Sequence, residues 1–96
     1  MSNALAPVHP GEILVEEFLR PHGLSAYGAA RRMHVPRTRI ERVARGEKPV
    51  TPDTALRLAR LFGTTPGFWL NLQQAYDLET AGRPADLADI EPLTAA

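Results

Sequence analysis

Between Val35 and Pro49 the chain reads VPRTRIERVARGEKP, with four arginines and a lysine in fifteen residues. Guanidinium and ammonium groups at this density form an electrostatic footprint for an anion. Arginine in particular can meet guanine with two hydrogen bonds at once. The other residue types that do chemistry are sparse. There is no cysteine, so disulfides and thiolate metal sites are excluded. His9, His22 and His34 are scattered, without the i, i+4 pairing of a metal site. Glu16 and Glu17 are neighbours, so their side chains diverge on a helix and do not make an acid–base pair. No nucleophile elbow, phosphate loop or metalloprotease helix is present. The chain is therefore read as a binding protein, with no catalytic residue, metal or cofactor.

The net charge of zero over 96 residues conceals a separation of charge. Residues 25–48 carry six arginines and one lysine against Glu41 and Glu47, a balance of +5. Residues 1–24 stand at −2, with Glu12, Glu16 and Glu17 against Arg20, and residues 83–96 also stand at −2. Apolar residues make up 44% of the chain, enough for one compact core but not two. No run approaches the ~18 apolar residues of a membrane span. The opening MSNALAPVHPGE lacks the basic start and apolar run of a secretion signal. A soluble, cytoplasmic protein without membrane contact is expected.

The elements that must position the basic block read as helices throughout. Leu14 and Phe18, at i, i+4, place helix 1 between Pro10 and about Pro21. Ser25 is a good N-cap for helix 2, which reaches Met33. Helix 3 starts near Pro36 and stops before Gly46. Thr51-Pro52 and Thr65-Pro66 each put a capping hydroxyl before a proline suited to the first helical position. They open helix 4, with its stripe of Ala55, Leu58, Ala59 and Phe62, and helix 5, with Phe68, Trp69, Leu72 and Tyr76. Helix 5 frays by Gly82. The spacing predicts an all-α fold of five helices over residues 1–82, with an acidic, alanine-rich tail over 83–96 that is mobile or partner-dependent. Trp69 is expected in the core or in a dimer seam, and Arg57 and Arg60 as solubilising charge.

Only His34 and Val35 separate helix 2 from helix 3, which makes residues 25–45 a helix-turn-helix. Ala30 lets the two helices approach, and Met33, Val35, Ile40 and Val43 supply their shared core. At ~100° per residue, Ile40, Val43 and Ala44 share one side of helix 3. Thr38, Glu41, Arg42 and Arg45 lie on the other, and Arg37 and Arg39 flank the apolar stripe, with Arg39 also expected to meet DNA. Burying the stripe turns the arginines outward on a ridge that fits a DNA major groove. Because the start of such a helix meets base edges, Arg37, Thr38 and Arg42 are expected to read bases, and Glu41 to accept from cytosine. Arg45 and Lys48 are expected on phosphates, with a further phosphate at Ser25 and the first amides of helix 2.

The stretch LSAYGAARRMHVPRTRIERVARGEKPVTPDTALRLARLFGTTPGFWLNLQQAYDL resembles the HigA-type antitoxins, within the lambda-repressor-like helix-turn-helix family. HPGEIL upstream of the helix-turn-helix and FWLNLQ downstream of it strengthen the likeness, which covers roughly His9 to Leu78. The resemblance implies a five-helix, usually dimeric DNA-binding domain that represses its own operon from a palindromic operator. It also implies a cognate HigB-type toxin, an mRNA-cleaving enzyme that the antitoxin binds and silences. A stand-alone regulator of the same fold without a toxin shares every DNA-facing residue. Such toxins bind RNA and are expected to be basic, so acidic helix 1 is the expected toxin surface, ahead of the acidic tail. Two residues depart from the family pattern: His34 stands where glycine is usual in the turn, and Pro36 where serine or threonine opens helix 3.

Overall fold

A computed structural model describes residues 7–94. The outer ends of the two expected regions, residues 1–6 and 95–96, lie outside the described residues. All regular structure among the described residues is helical. The first helix is α1 (Pro10–Ile13), which continues as a π-helical segment (Leu14–Leu19). Four helices follow: α2 (Ala26–Met33), α3 (Arg37–Ala44), α4 (Pro52–Phe62) and α5 (Pro66–Ala81). A short 3-10 turn (Leu87–Asp89) comes last.

Side chains set the starts of four helices. The Ser25 hydroxyl accepts from Gly28 N–H at 2.9 Å, Thr51 from Thr54 N–H at 3.3 Å, and Thr65 from Phe68 N–H at 3.1 Å. Each satisfies an amide that the helix itself leaves free. At α1 the cap is the His9 ring, whose Nδ1 accepts from Gly11 N–H at 2.8 Å. For α3, Pro36 is the N-cap, with extended backbone and no side-chain bond, so the helix begins at Arg37.

The turn between α2 and α3 needs a left-handed residue. His34 takes it, at φ 61° and ψ 44°, the only non-glycine with positive φ among the described residues. Val35 N–H then reaches back to Ala30 C=O at 3.1 Å and closes the end of α2. Glycine does the same job after α3 and α4, where Glu47 N–H bonds Arg42 C=O beyond Gly46 and Thr64 N–H bonds Ala59 C=O beyond Gly63.

The π winding changes which residues of helix 1 face inward. Arg20 N–H bonds Val15 C=O, five residues back. Leu14 and Leu19 are thereby aligned and buried, while Phe18 is only half-buried. The i, i+4 pairing of Leu14 with Phe18 holds for an α-helix and gives way here to i, i+5.

Trp69 is fully buried and belongs to the core. Its indole N–H donates to Thr64 Oγ1 at 2.8 Å, so its one polar atom is satisfied. Phe18 packs against Trp69, Phe62 and Phe68 with ring centroids 5.0, 5.1 and 6.0 Å away. Ala30, Met33, Ile40, Val43, Leu58 and Leu14 belong to the same core, with Val35 packed at its margin. Gln73, on α5, is buried and ties two elements together. Its Oε1 accepts from Val50 N–H at 2.8 Å, and its Nε2 donates to Asp77 at 2.9 Å.

Gly11 sets the distance between α1 and the end of α3. A Cβ there would stand 1.9 Å from Val43 O, a backbone atom that cannot swing away. His9, Pro10 and Gly11 therefore act together as a cap, a pre-shaped first residue and a close backbone contact.

Candidate nucleic-acid interface

The recognition surface is built on α3. Ile40 and Val43 are each only 1% exposed, which fixes the rotation of the helix. Arg37, Thr38, Arg42 and Arg45 are exposed on the opposite side, and Glu41 is half-buried. Lys48, in the loop after α3, is exposed, and so is Ser25 at the start of α2. The eight residues read as DNA-facing thus lie on α3, the loop after it and the start of α2.

They differ in what already holds them. Among the described residues, neither Arg42 nor Lys48 makes an ion pair. With Thr38 they line a cleft of about 440 Å3 between α3 and the start of α4. Arg45 pairs with Glu47 at 3.2 Å and Arg37 with Glu41 at 3.9 Å, both on the surface. Such exposed pairs are weak and exchange readily for a phosphate or a base. The Ser25 hydroxyl oxygen already caps α2 but keeps its own O–H as a donor.

Arg39 has a different local task. It bonds the carboxylate of Asp53, and Arg57 donates to the same oxygen at 2.9 Å. The hydrogen bond from Arg39, then that from Arg57, holds the Asp53 carboxyl below the usual carboxylate range. Arg57 also donates to the Met33 carbonyl at 2.8 Å. It thus joins α4 to the end of α2, which corrects its reading as a merely solubilising charge. Together Asp53 and Arg57 brace the recognition helix against α4.

Tyr27 is a further member of the surface that sequence reasoning did not single out. It is 48% exposed on α2, with Arg31 and Arg37 lying 5.9 and 5.8 Å from its ring centroid. Its ring holds the Arg37 guanidinium near the start of α3 by cation–π attraction. Tyr27 and Arg31 at i, i+4 were the available signal; the reach to Arg37 comes only from the fold.

His9 is the other residue whose role the spacing did not give. Besides capping α1, its ring meets Tyr76 of α5 edge-on at 4.9 Å and lies against Gly46, just beyond α3. Burial lowers its pKa, against smaller opposing effects from the Lys48 backbone and Asp77. It stands as a neutral wedge behind the loop that carries Lys48.

Among the described residues, no helix is long and apolar enough to cross a membrane. A family model for a helix-turn-helix domain matches residues 11–67. Virulence-associated protein I of Dichelobacter nodosus is 51% identical over 79 residues, which are 82% of this chain and 73% of that protein. Antitoxin HigA-1 of Vibrio cholerae is 42% identical over 72 residues, 75% of this chain and 68% of that one. A solved structure of the Pseudomonas aeruginosa antitoxin HigA with the higBA promoter superposes with a TM-score of 0.82 at 39% identity, covering 92% of this chain and 99% of that one. Arginines aimed outward from the second helix of a tight two-helix turn are thus set in a scaffold shared with these proteins, and the chain belongs to the helix-turn-helix family of DNA-binding regulators, among the HigA-type antitoxins, and is not an enzyme.

Proposed function

We propose that the chain is an antitoxin and autorepressor that binds a palindromic operator as a homodimer and neutralises a cognate, basic HigB-type toxin. One observation carries the reading. α3 offers Arg37, Thr38 and Arg42 on a solvent-facing ridge, and Arg42 has no ion pair among the described residues. The likeness to a HigA antitoxin solved with its promoter supports placing that ridge in a major groove. Arg37, Thr38 and Arg42 then read bases, with Glu41 near a cytosine amine. Arg45, Lys48 and Ser25 hold phosphates, and Arg39 sets the pose of α3 through Asp53. Residues 1–82 make up the DNA-binding unit and 83–96 a separate tail. A DNA partner supports a cytoplasmic location.

The test is a titration of the full chain onto duplexes from the region upstream of its own coding sequence, joined to co-expression with the neighbouring gene. The expected result is binding at least ~10³-fold tighter than to a scrambled duplex at fixed salt, with half-sites about one helical turn apart. Copurification of a small basic protein completes it. Equal affinity for both duplexes would refute the repressor role, and a neighbour that never copurifies would refute the antitoxin role.

A further inference from the structure

The α2–α4 side of the molecule carries an open groove of about 560 Å3. Met33, Leu56 and Leu61 give it an apolar floor, and Arg32, Arg57 and Arg60 stand around it with Asp53, whose carboxylate is already taken by Arg39 and Arg57. Leu56 is 59% exposed, an unusual position for a leucine flanked by arginines. Arg57 is engaged by Asp53 and Met33, but among the described residues Arg32 and Arg60 make no ion pair. The groove therefore suits a segment that is both apolar and acidic.

The chain contains such a segment. Beyond α5, Asp86, Asp89 and Glu91 alternate with Leu87, Ile90 and Leu93, which are 37%, 66% and 104% exposed. The three apolar residues are spaced by three; the first opens a 3-10 turn over Leu87–Asp89, and the backbone runs extended from Ile90. Every described residue from 77 onward is exposed, and Ile90 and Leu93 are left largely uncovered. The reason lies in α5. The Gln73–Val50 bond marks where α5 passes the start of α4, and eight further helical residues carry it about 12 Å beyond.

We propose that the segment of residues 83–94 from one copy lies in the α2–α4 groove of a second copy, with Asp86 and Asp89 at Arg32 and Arg60 and Ile90 over Leu56. The exchange is reciprocal, as a two-fold dimer requires. It rests on the dimeric state in the proposed function and names how that dimer is held. A basic toxin would be repelled by the same arginines. DNA would meet the arginines but gain nothing from the apolar floor.

The absence of cysteine allows a direct test. Full-length Leu56→Cys and Ile90→Cys chains are mixed and oxidised with diamide. A disulfide joining one of each should form at least ~10-fold faster than with a Glu17→Cys control, since docking raises the effective thiol concentration. Saturating duplex DNA should leave that rate unchanged. Arg32→Glu with Arg60→Glu should weaken self-association ~10-fold, and Asp86→Lys with Asp89→Lys should restore it. A rate equal to the control overturns the proposal. So does an intrachain disulfide without covalent dimer in the doubly substituted chain, or protection of Leu56→Cys by DNA. Operator binding by each single variant is measured in parallel, so that a failed cross-link with operator binding intact sinks the docking alone.

Discussion

Arg39 of the recognition helix and Asp53 of α4 are joined by an ion pair, and Arg57 binds the same carboxylate oxygen. The pair spends one arginine of the basic block on holding α3 in place. Asp53→Asn should release it. With one negative charge removed and Arg39 free to reach a phosphate, affinity for random DNA should rise and the salt slope should steepen by about one phosphate contact. Discrimination for the operator should fall, because α3 is less firmly held. Salt titrations on operator and random duplexes measure both effects, and an unchanged slope would show that Arg39 stays away from the backbone.

Arg42 and Lys48 line one cleft but should behave differently. Arg42 is on the exposed ridge of α3 proposed to enter the groove, so Arg42→Ala should cost ~1–3 kcal/mol on the operator and relax one base position. Lys48→Ala should weaken all sequences alike and flatten the salt dependence. Equal losses on operator and random DNA for Arg42→Ala would remove it from the readers.

The boundaries of α2, α4 and α5 were legible because their signals are local: a hydroxyl before the helix, a proline at its start, a glycine or left-handed residue at its end. The outward set of α3 was legible too, since a single apolar stripe of Ile40, Val43 and Ala44 leaves only one orientation. What could not be read depends on distance along the chain. Asp53 lies 14 residues from Arg39, and Arg57 lies 24 from Met33. The π winding of helix 1 was hidden because Leu14, Phe18 and Leu19 fit either period. Pro36 fits N1 by its fixed φ, yet its ψ of 143° makes it the cap. His9 before Pro10 has the same form as the Thr-Pro pairs, but histidine caps poorly unless its ring is held, here by Tyr76.

His9 should make stability depend on pH. Its pKa in the fold lies below the ordinary 6.5, chiefly through burial, so the neutral ring is the form the fold favours. That contribution is fully present above 6.5 and is lost as pH falls through the lowered pKa. Protonation at Nδ1 would also abolish the bond from Gly11 N–H. His9→Ala should cost about 1 kcal/mol at pH 7.5, the usual worth of a cap. It should also flatten the fall in melting temperature between about pH 7 and 5. An equally steep fall in the variant would assign the pH dependence elsewhere.

Gly11 and Gly67 make a matched pair of helical glycines with opposite expectations. A Cβ at Gly11 meets Val43 O at 1.9 Å, whereas one at Gly67 has only Thr65 Oγ1, at 3.9 Å. Gly11→Ala should therefore force α1 off α3 and cost about 3 kcal/mol, a fall in melting temperature on the order of 15 °C. Gly67→Ala should be neutral or gain about 0.5 kcal/mol. Thermal unfolding of the two variants side by side decides it, and a mild effect at Gly11 would mean that α1 can shift without loss.

Neutralisation and DNA binding should be separable. Arg37 and Arg42 lie on the exposed ridge of α3 proposed for the groove, where a basic toxin would be repelled. Glu12, Glu16 and Glu17 are exposed on helix 1, whereas the acidic segment after α5 is committed in the proposed dimer to the α2–α4 groove and would have to leave it to reach a toxin. The exposed pair of Glu16 with Arg20, at 3.3 Å, contributes little to the fold and leaves Glu16 free to be changed. Arg37→Ala with Arg42→Ala should abolish repression while cells stay protected, and Glu12→Lys with Glu16→Lys should do the reverse. Arg45 adds a sharper test, because it lines the same shallow depression of about 310 Å3 as Glu12 and Glu16. Arg45→Ala should weaken DNA binding and tighten toxin binding at once, since it removes the proposed phosphate contact and a charge of the toxin's own sign beside the acidic face. If a folded arginine double variant no longer protects, or if Arg45→Ala weakens both partners, the two surfaces overlap and helix 1 is not the toxin's seat.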